Sequence, residues 1–326
     1  MKRFRLQLLI LNVFAFVVFM GIYGCKKTDN TTDNSSNTTS TTTVKDEEKI
    51  VQHSDDENEV QTTNDELDNE INATLSTNKA WSYPCDVDAD NQWSSSKTIT
   101  FTFNGKNCPY IQRIRTGSIT IHLLNTNTNG NLVTKWSDQG AILTVTFKDF
   151  KISRKLAPNK YIIFNGTKTY TNVSGGNLTQ LYYNKSKTII HTVKATGITA
   201  TFPEGQRTWN INRTKTWTNL NDTLIQFTVT GGGSEGNYSN LECWGTNRYG
   251  DNFYSQITNP VIFTTACNKI VSGTITNYVN SYTASITYNT DQDGNQLSTS
   301  PSDCNYIAFI KATTPSGGKF TKTITY

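Results

Sequence analysis

Groups that carry catalysis are scarce in this chain. After residue 80 there are two histidines, His122 and His191, and three glutamates, Glu204, Glu235 and Glu242. No Cys-x-x-Cys pair and no metalloprotease pattern occurs, which removes the commonest zinc motifs. The Gly-rich patch Gly231 to Gly236 lacks the Gly-Lys-Ser/Thr ending of a phosphate loop, and reads as a flexible turn or a junction between subdomains. Basic residues are dispersed and no nucleic-acid motif is present, so nucleic acid is not an expected partner. A glycosidase needs only two facing carboxylates, and nothing in the sequence selects a pair.

What the chain does have begins at its first residues. Lys2, Arg3 and Arg5 precede an apolar run from Leu6 to Met20, followed by Ile22-Tyr23-Gly24-Cys25. The run is interrupted by Gln7 and Asn12, and about 20 apolar residues are needed to span a bilayer, so a secretory signal fits better than an anchor helix. An aliphatic residue three places before the cut and a small one just before a cysteine resemble the lipobox of bacterial lipoproteins. That resemblance implies removal of residues 1–24 and lipidation of Cys25. Several acyl chains on one cysteine would hold the protein to a membrane without a spanning segment.

Behind Cys25 the composition changes twice. Residues 28–43 contain only Thr, Asp, Asn and Ser, with no apolar surface to offset ordering entropy. Residues 26–79 carry five lysines against thirteen Asp and Glu, a net of −8. Leu67, Ile71 and Leu75 behind Asn64 allow one short helix, but too few apolar positions accompany it for burial. Residues 25–79 therefore read as a lipidated cysteine on a disordered acidic tether, with a typical span of about 40 Å. Residues 80–326 carry 22 Lys and Arg against 13 Asp and Glu, a net of +9. That excess is either ordinary solubility charge or an attraction to anionic polysaccharide.

The pattern after residue 80 is period two. Ile99, Phe101 and Phe103 alternate with threonines, as do Ile119, Ile121 and Leu123, and then Leu143, Val145 and Phe147. Thr-rich, β-branched runs separated by Asn/Gly/Pro clusters predict many antiparallel strands. The expected fold is all-β and sandwich-like, with about a dozen strands over 80–326 and a subdivision into two packed subdomains near 231–250. One internal repeat supports duplication: residues 165–172 (Asn-Gly-Thr-Lys-Thr-Tyr-Thr-Asn) match 212–219 (Asn-Arg-Thr-Lys-Thr-Trp-Thr-Asn).

Five cysteines follow Cys25. Exported proteins oxidise their thiols, and Cys85 with Cys108 and Cys267 with Cys304 are nearest neighbours flanking strand-like runs. Cys243, beside Trp244, is left over. Two Asp clusters offer alternately spaced oxygens of the kind calcium takes: Asp86, Asp88 and Asp90, and then Asp291 and Asp293 after Asn289. Both depart from a calcium loop, the first at Asn91 and Lys97 and the second at Ser300, and both equally fit Asp-rich turns bonded to local backbone. No other cofactor is expected.

Trp209, Arg213, Lys215 and Trp217 fall on one strand face with Ile211. An exposed row of this kind would stack sugar rings and bond their hydroxyls; the alternative is that Trp209 and Ile211 face the core. Cys25-Lys26-Lys27 with its Asn/Thr-rich segment, then Phe103-Asn104-Gly105, Arg115-Thr116-Gly117-Ser118-Ile119, Gly245-Thr246-Asn247-Arg248 and Ile270-Val271-Ser272-Gly273-Thr274, resemble the surface lipoproteins of Bacteroidota. The resemblance implies an outer-membrane lipoprotein with a β-rich exported domain and no assigned activity. Its face of the membrane stays open, because Lys26-Lys27-Thr28-Asp29 matches the acidic surface-export signal only in part. The sequence favours a non-catalytic binding or adhesion module for glycan or another surface ligand. A fimbrillin-like assembly protein and a glycan-active hydrolase are the alternatives. The absence of arginine between Arg5 and Arg113 counts against the proteolytic maturation of fimbrillins.

Overall fold

The computed structural model describes residues 46–76, 85–109, 113–221, 224–267, 269–297 and 304–325. Cys25, the leader and the Asn/Thr-rich stretch lie outside these residues, and so do the expectations attached to them.

The period-two runs are strands. The first half is β1 (Val87–Gln92), β2 (Thr98–Asn104), β3 (Arg113–Leu123), β4 (Ala141–Arg154), β5 (Ala157–Asn172), β6 (Thr188–Phe202) and β7 (Gly205–Asn221). The second is β8 (Leu224–Gly231), β9 (Gly233–Glu235), β10 (Tyr238–Thr246), β11 (Asn252–Thr264), β12 (Lys269–Val279), β13 (Tyr282–Tyr288), β14 (Ile307–Thr313) and β15 (Lys319–Thr325). Antiparallel pairing runs β1 to β7 in chain order, continues through β10 and β11, and ends at β15. The all-β antiparallel class read from the sequence is the class observed, and all fifteen strands belong to a single sheet.

One face of that sheet is polar and rich in threonine. Thr100, Thr120, Thr146 and Thr167 stand opposite one another across β2 to β5. Hydroxyls bond across the row at 3.2 Å (Thr100–Thr120) and 2.9 Å (Thr146–Thr167), the cross-strand pairing that gives a half-wet face its stability. The other face holds the core. On β4 a bulge at Asp149, whose φ is 47°, turns both Phe147 and Phe150 inward.

The Gly-rich patch is a seam inside the sheet. β7 pairs with β8 over Arg213 to Asn221 and with β10 over Thr208 to Ile211. β11 spans the same division, meeting β10 and β8 in turn. The described residues from 46 onward cluster as one compact unit, and near 231–250, where a subdivision was expected, the strands exchange partners. Chains approach closely there: a Cβ at Gly231 would lie 2.0 Å from the Asn240 carbonyl oxygen, and one at Gly245 would lie 2.1 Å from that of Thr208.

The acidic segment departs most from expectation. Residues Asp46–Ser76 form α1, a 31-residue helix containing neither Gly nor Pro. Glu48 near its start suits the helix dipole, and Gln52 donates to Asp56 four residues on at 2.9 Å. The tether reading fails over this span because polar partners on the sheet bury the helix together with its few core aliphatics. Ile50, Val60, Leu67 and Ile71 are buried, but so are His53, Ser54, Asp56, Glu57, Asn58, Gln61, Asn64 and Asp68. Their partners come from strands between β3 and β15, so the sheet curls round α1, with β1 and β15 as its two ends. No described helix is long and apolar enough to cross a membrane.

Candidate functional site

The interior of the curl is a cationic, aromatic surface facing an acidic helix. Alternation along β7 turns Arg207, Trp209, Ile211, Arg213, Lys215 and Trp217 to one face, and all six are buried. The exposed tryptophan row is thereby corrected: Trp209 and Trp217 are 2% and 1% exposed, Arg213 and Lys215 2% and 1%. The four candidates do share a face, but α1 covers it, and the cations stay inside because the helix brings their counter-charges.

On α1 the residues 57, 61, 64 and 68 are spaced four, three and four apart, which places them on one side of a helix. Glu57 accepts from Arg207 at 2.8 Å and Gln61 from Arg213 at 2.7 Å. Asn64 accepts from Lys168 at 2.5 Å. Asp68 accepts from Lys215 and from the Tyr170 hydroxyl, each at 2.5 Å. Further out, Arg248 grips Asp56 through two nitrogens at 2.7 and 2.6 Å, Arg113 meets Glu66 at 2.7 Å, and Lys322 meets Asp55. The acids of this seam come mainly from α1 and the cations from the sheet.

The internal repeat now has a structural meaning. Its copies lie on β5 and β7, with β6 between them, and matched positions Lys168 and Lys215 both reach α1. Three of the seam cations also rest on aromatic rings of the sheet: Arg207 on Trp209 and Phe253, Lys215 on Phe227, Lys168 on Phe147.

Burial pushes the Asp68 carboxyl up, but Lys215, Lys168 and Arg213 outweigh it and hold the group at about 2. His191 stands opposite Lys215 across the β6–β7 ladder; burial and then that ammonium bring its pKa down to about 3. On β10 a register slip between Leu241 and Cys243 turns Leu241, Glu242 and Cys243 inward together. Cys243 donates to Glu57 at 3.3 Å, and burial with Glu57 and Glu242 pushes its thiol pKa well up. Glu57, Glu242 and Cys243 are the one trio among the described residues whose ligand atoms converge, within 4.8 Å. Arg207 already neutralises Glu57 and the thiol keeps its proton, so the trio makes a poor cation site.

The calcium candidates are not brought together. Asp86 is fully buried, with both oxygens held by Arg115 at 2.8 and 2.9 Å. Asp88 and Asp90 extend along β1 and accept from Asn104 and Gln92. Asp291 accepts the backbone N–H groups of Asp293 and Asn295 at 2.9 and 2.8 Å, the locally bonded turn that competed with calcium in the sequence. Cys85–Cys108 and Cys267–Cys304 are both disulfides, and Cys243 is a buried thiol. Gly232-Gly233-Ser234-Glu235-Gly236 satisfies the Gly-x-Ser-x-Gly spelling, which sequence reading passed over. Ser234 lies in β9, paired with β10, rather than on the strand-to-helix elbow that exposes a nucleophile.

Along the outer flank of α1 runs an open cleft of about 640 Å³. Tyr161, Phe202 and Tyr249 line it with Arg154, Lys160, Glu204 and Lys322. It draws on the β4–β5, β6–β7 and β10–β11 turns and on the edge strand β15. Sequence reasoning did not find this cleft, because its residues are far apart in the chain and only the curl assembles them. Compared with known protein families, curated proteins and solved structures, the chain matches none.

Proposed function

We propose that this chain is an outer-membrane lipoprotein, anchored through acylated Cys25, that displays a non-catalytic binding module for surface glycans. The observation that carries the binding reading is the cleft beside α1. Tyrosine rings at its walls offer faces for sugar stacking, and Lys160 adds a cation suited to an anionic group of a polysaccharide. Binding is favoured over hydrolysis because the acids on its floor are engaged by cations: Asp55 by Lys322, Asp56 by Arg248, and Glu59 faces Arg154 at 4.0 Å.

The anchor is supported by the sequence around Cys25 and tested by metabolic palmitate labelling, which Cys25→Ser abolishes if the reading holds. The binding reading is tested with a soluble form beginning after Cys25, on a glycan array and on immobilised anionic polysaccharide. Tyr161→Ala/Tyr249→Ala is expected to weaken binding ~10-fold or more, the loss of about 1.4 kcal/mol. Absence of binding, or binding indifferent to both substitutions, removes it. An assembly role is the second reading, favoured by the edges of β1 and β15, which end the pairing path.

A further inference from the structure

The seam between α1 and the sheet has the character of a binding interface rather than of a core. A helix held permanently inside a domain is usually apolar on its buried face. Here Glu57, Gln61, Asn64 and Asp68 form a polar stripe that is buried as fully as the core aliphatics Ile50, Val60, Leu67 and Ile71. Ion pairs of this kind set register and partner choice more than stability, because desolvation offsets much of their attraction.

The sheet's half of the interface is built independently of the helix. Arg207, Lys215 and Lys168 are each stacked on rings of the sheet itself. Those rings pack against one another, Trp217 on Phe227 at 4.4 Å and Phe227 on Phe263 at 4.7 Å. Four acceptors at fixed helical spacing therefore meet donors that β5 and β7 already hold in place. Charge is complementary as well: the segment that contains α1 is net negative and the region that contains the sheet net positive.

We propose that α1 is an exchangeable ligand of its own sheet, and that the inner face accepts the α1 of a second copy of this chain in its place. The recognition chemistry is that of an acidic helix whose oxygen acceptors at four-three-four spacing meet two arginines and two lysines. Such exchange would link anchored copies through the segment nearest their N-termini. It is independent of the glycan reading, which rests on the outer cleft.

The test uses the whole mature chain. Equimolar light and 15N-labelled copies are mixed and treated with a carbodiimide, which joins a paired carboxylate and amine without a spacer. Asp55 and Lys322 are a partly exposed pair suited to it. The expected result is Asp55–Lys322 crosslinks between light and heavy chains, increasing with incubation time and with protein concentration. Only light–light and heavy–heavy crosslinks after prolonged incubation would overturn the proposal. A synthetic peptide of residues 46–76 adds a second measurement that does not depend on a variant folding. In excess it should lower the Asp55–Lys322 crosslink within the chain, and the same peptide with Glu57→Lys and Asp68→Lys should not. Equal competition by both peptides overturns the proposal. So does competition by polygalacturonate but not by the peptide, which would assign the seat to an anionic sugar.

Discussion

Lys215 and Asp68 lie 147 residues apart in sequence and 2.5 Å apart in the fold, each almost wholly excluded from water. Lys215 sits among tryptophans that mark its strand as core, and Asp68 in a segment whose composition marks it as solvated. Each offsets much of the other's desolvation at its buried position.

That mutual dependence has an energetic signature. Removing one partner of a buried ion pair leaves an uncompensated charge and costs about 3–5 kcal/mol, whereas replacing both by apolar groups of similar volume is close to neutral. Asp68→Ala or Lys215→Ala alone should lower the denaturant midpoint strongly. Asp68→Leu combined with Lys215→Met should recover most of it. Urea unfolding of the four chains, read as a double-mutant cycle, checks this.

Acid should weaken the seam. Asp68 has a folded pKa of about 2, below its unfolded value of 3.8. A depressed carboxyl contributes stability that is complete above the unfolded value and is lost as pH falls through the folded one. The interval corresponds to roughly 2 kcal/mol. The difference in unfolding free energy between the native chain and Asp68→Asn should shrink as pH falls from 5 to 2.

The two disulfides close separations of 23 and 37 residues, each worth about 3–4 kcal/mol from restriction of the unfolded chain. Cys267→Ser/Cys304→Ser should lower stability by that order. Cys243, buried against Glu57, should resist alkylation in the native protein and react once on unfolding. Mass spectrometry of alkylated native and denatured samples reads both states.

Gly245 should tolerate no side chain. Gly245→Val drives a Cβ into the Thr208 carbonyl and should cost about 3 kcal/mol or more. Gly197 has a φ of +65° with open space around it, so Gly197→Ala should cost only about 1 kcal/mol from backbone strain. Thermal melts of the two variants separate crowding from strain.

The strands and disulfides were legible because each depends on nearby sequence. Ile119, Ile121 and Leu123 announce a half-buried strand by alternation alone, and Cys267 and Cys304 bracket a compact set of strands. α1 was not legible, because its burial rests on partners 45 to 267 residues away, as in Arg115–Glu70 and Lys322–Asp55. The opposite charges of residues 26–79 and 80–326 were the available signal. Read as tether and domain, they said nothing of contact. Trp209, Arg213, Lys215 and Trp217 were grouped correctly by period-two spacing, yet their exposure could not be judged without the helix that covers them.

Chain order adds a kinetic consequence to the enclosure of α1. α1 is synthesised before every described strand, and Lys322, which meets Asp55, follows that residue by 267 positions. During synthesis an acidic helix must therefore wait while the strands that will enclose it are made. Contacts so distant in sequence slow folding, since loop closure precedes any gain from the pairs. Among the described elements, the first to be synthesised is among the last to find its place.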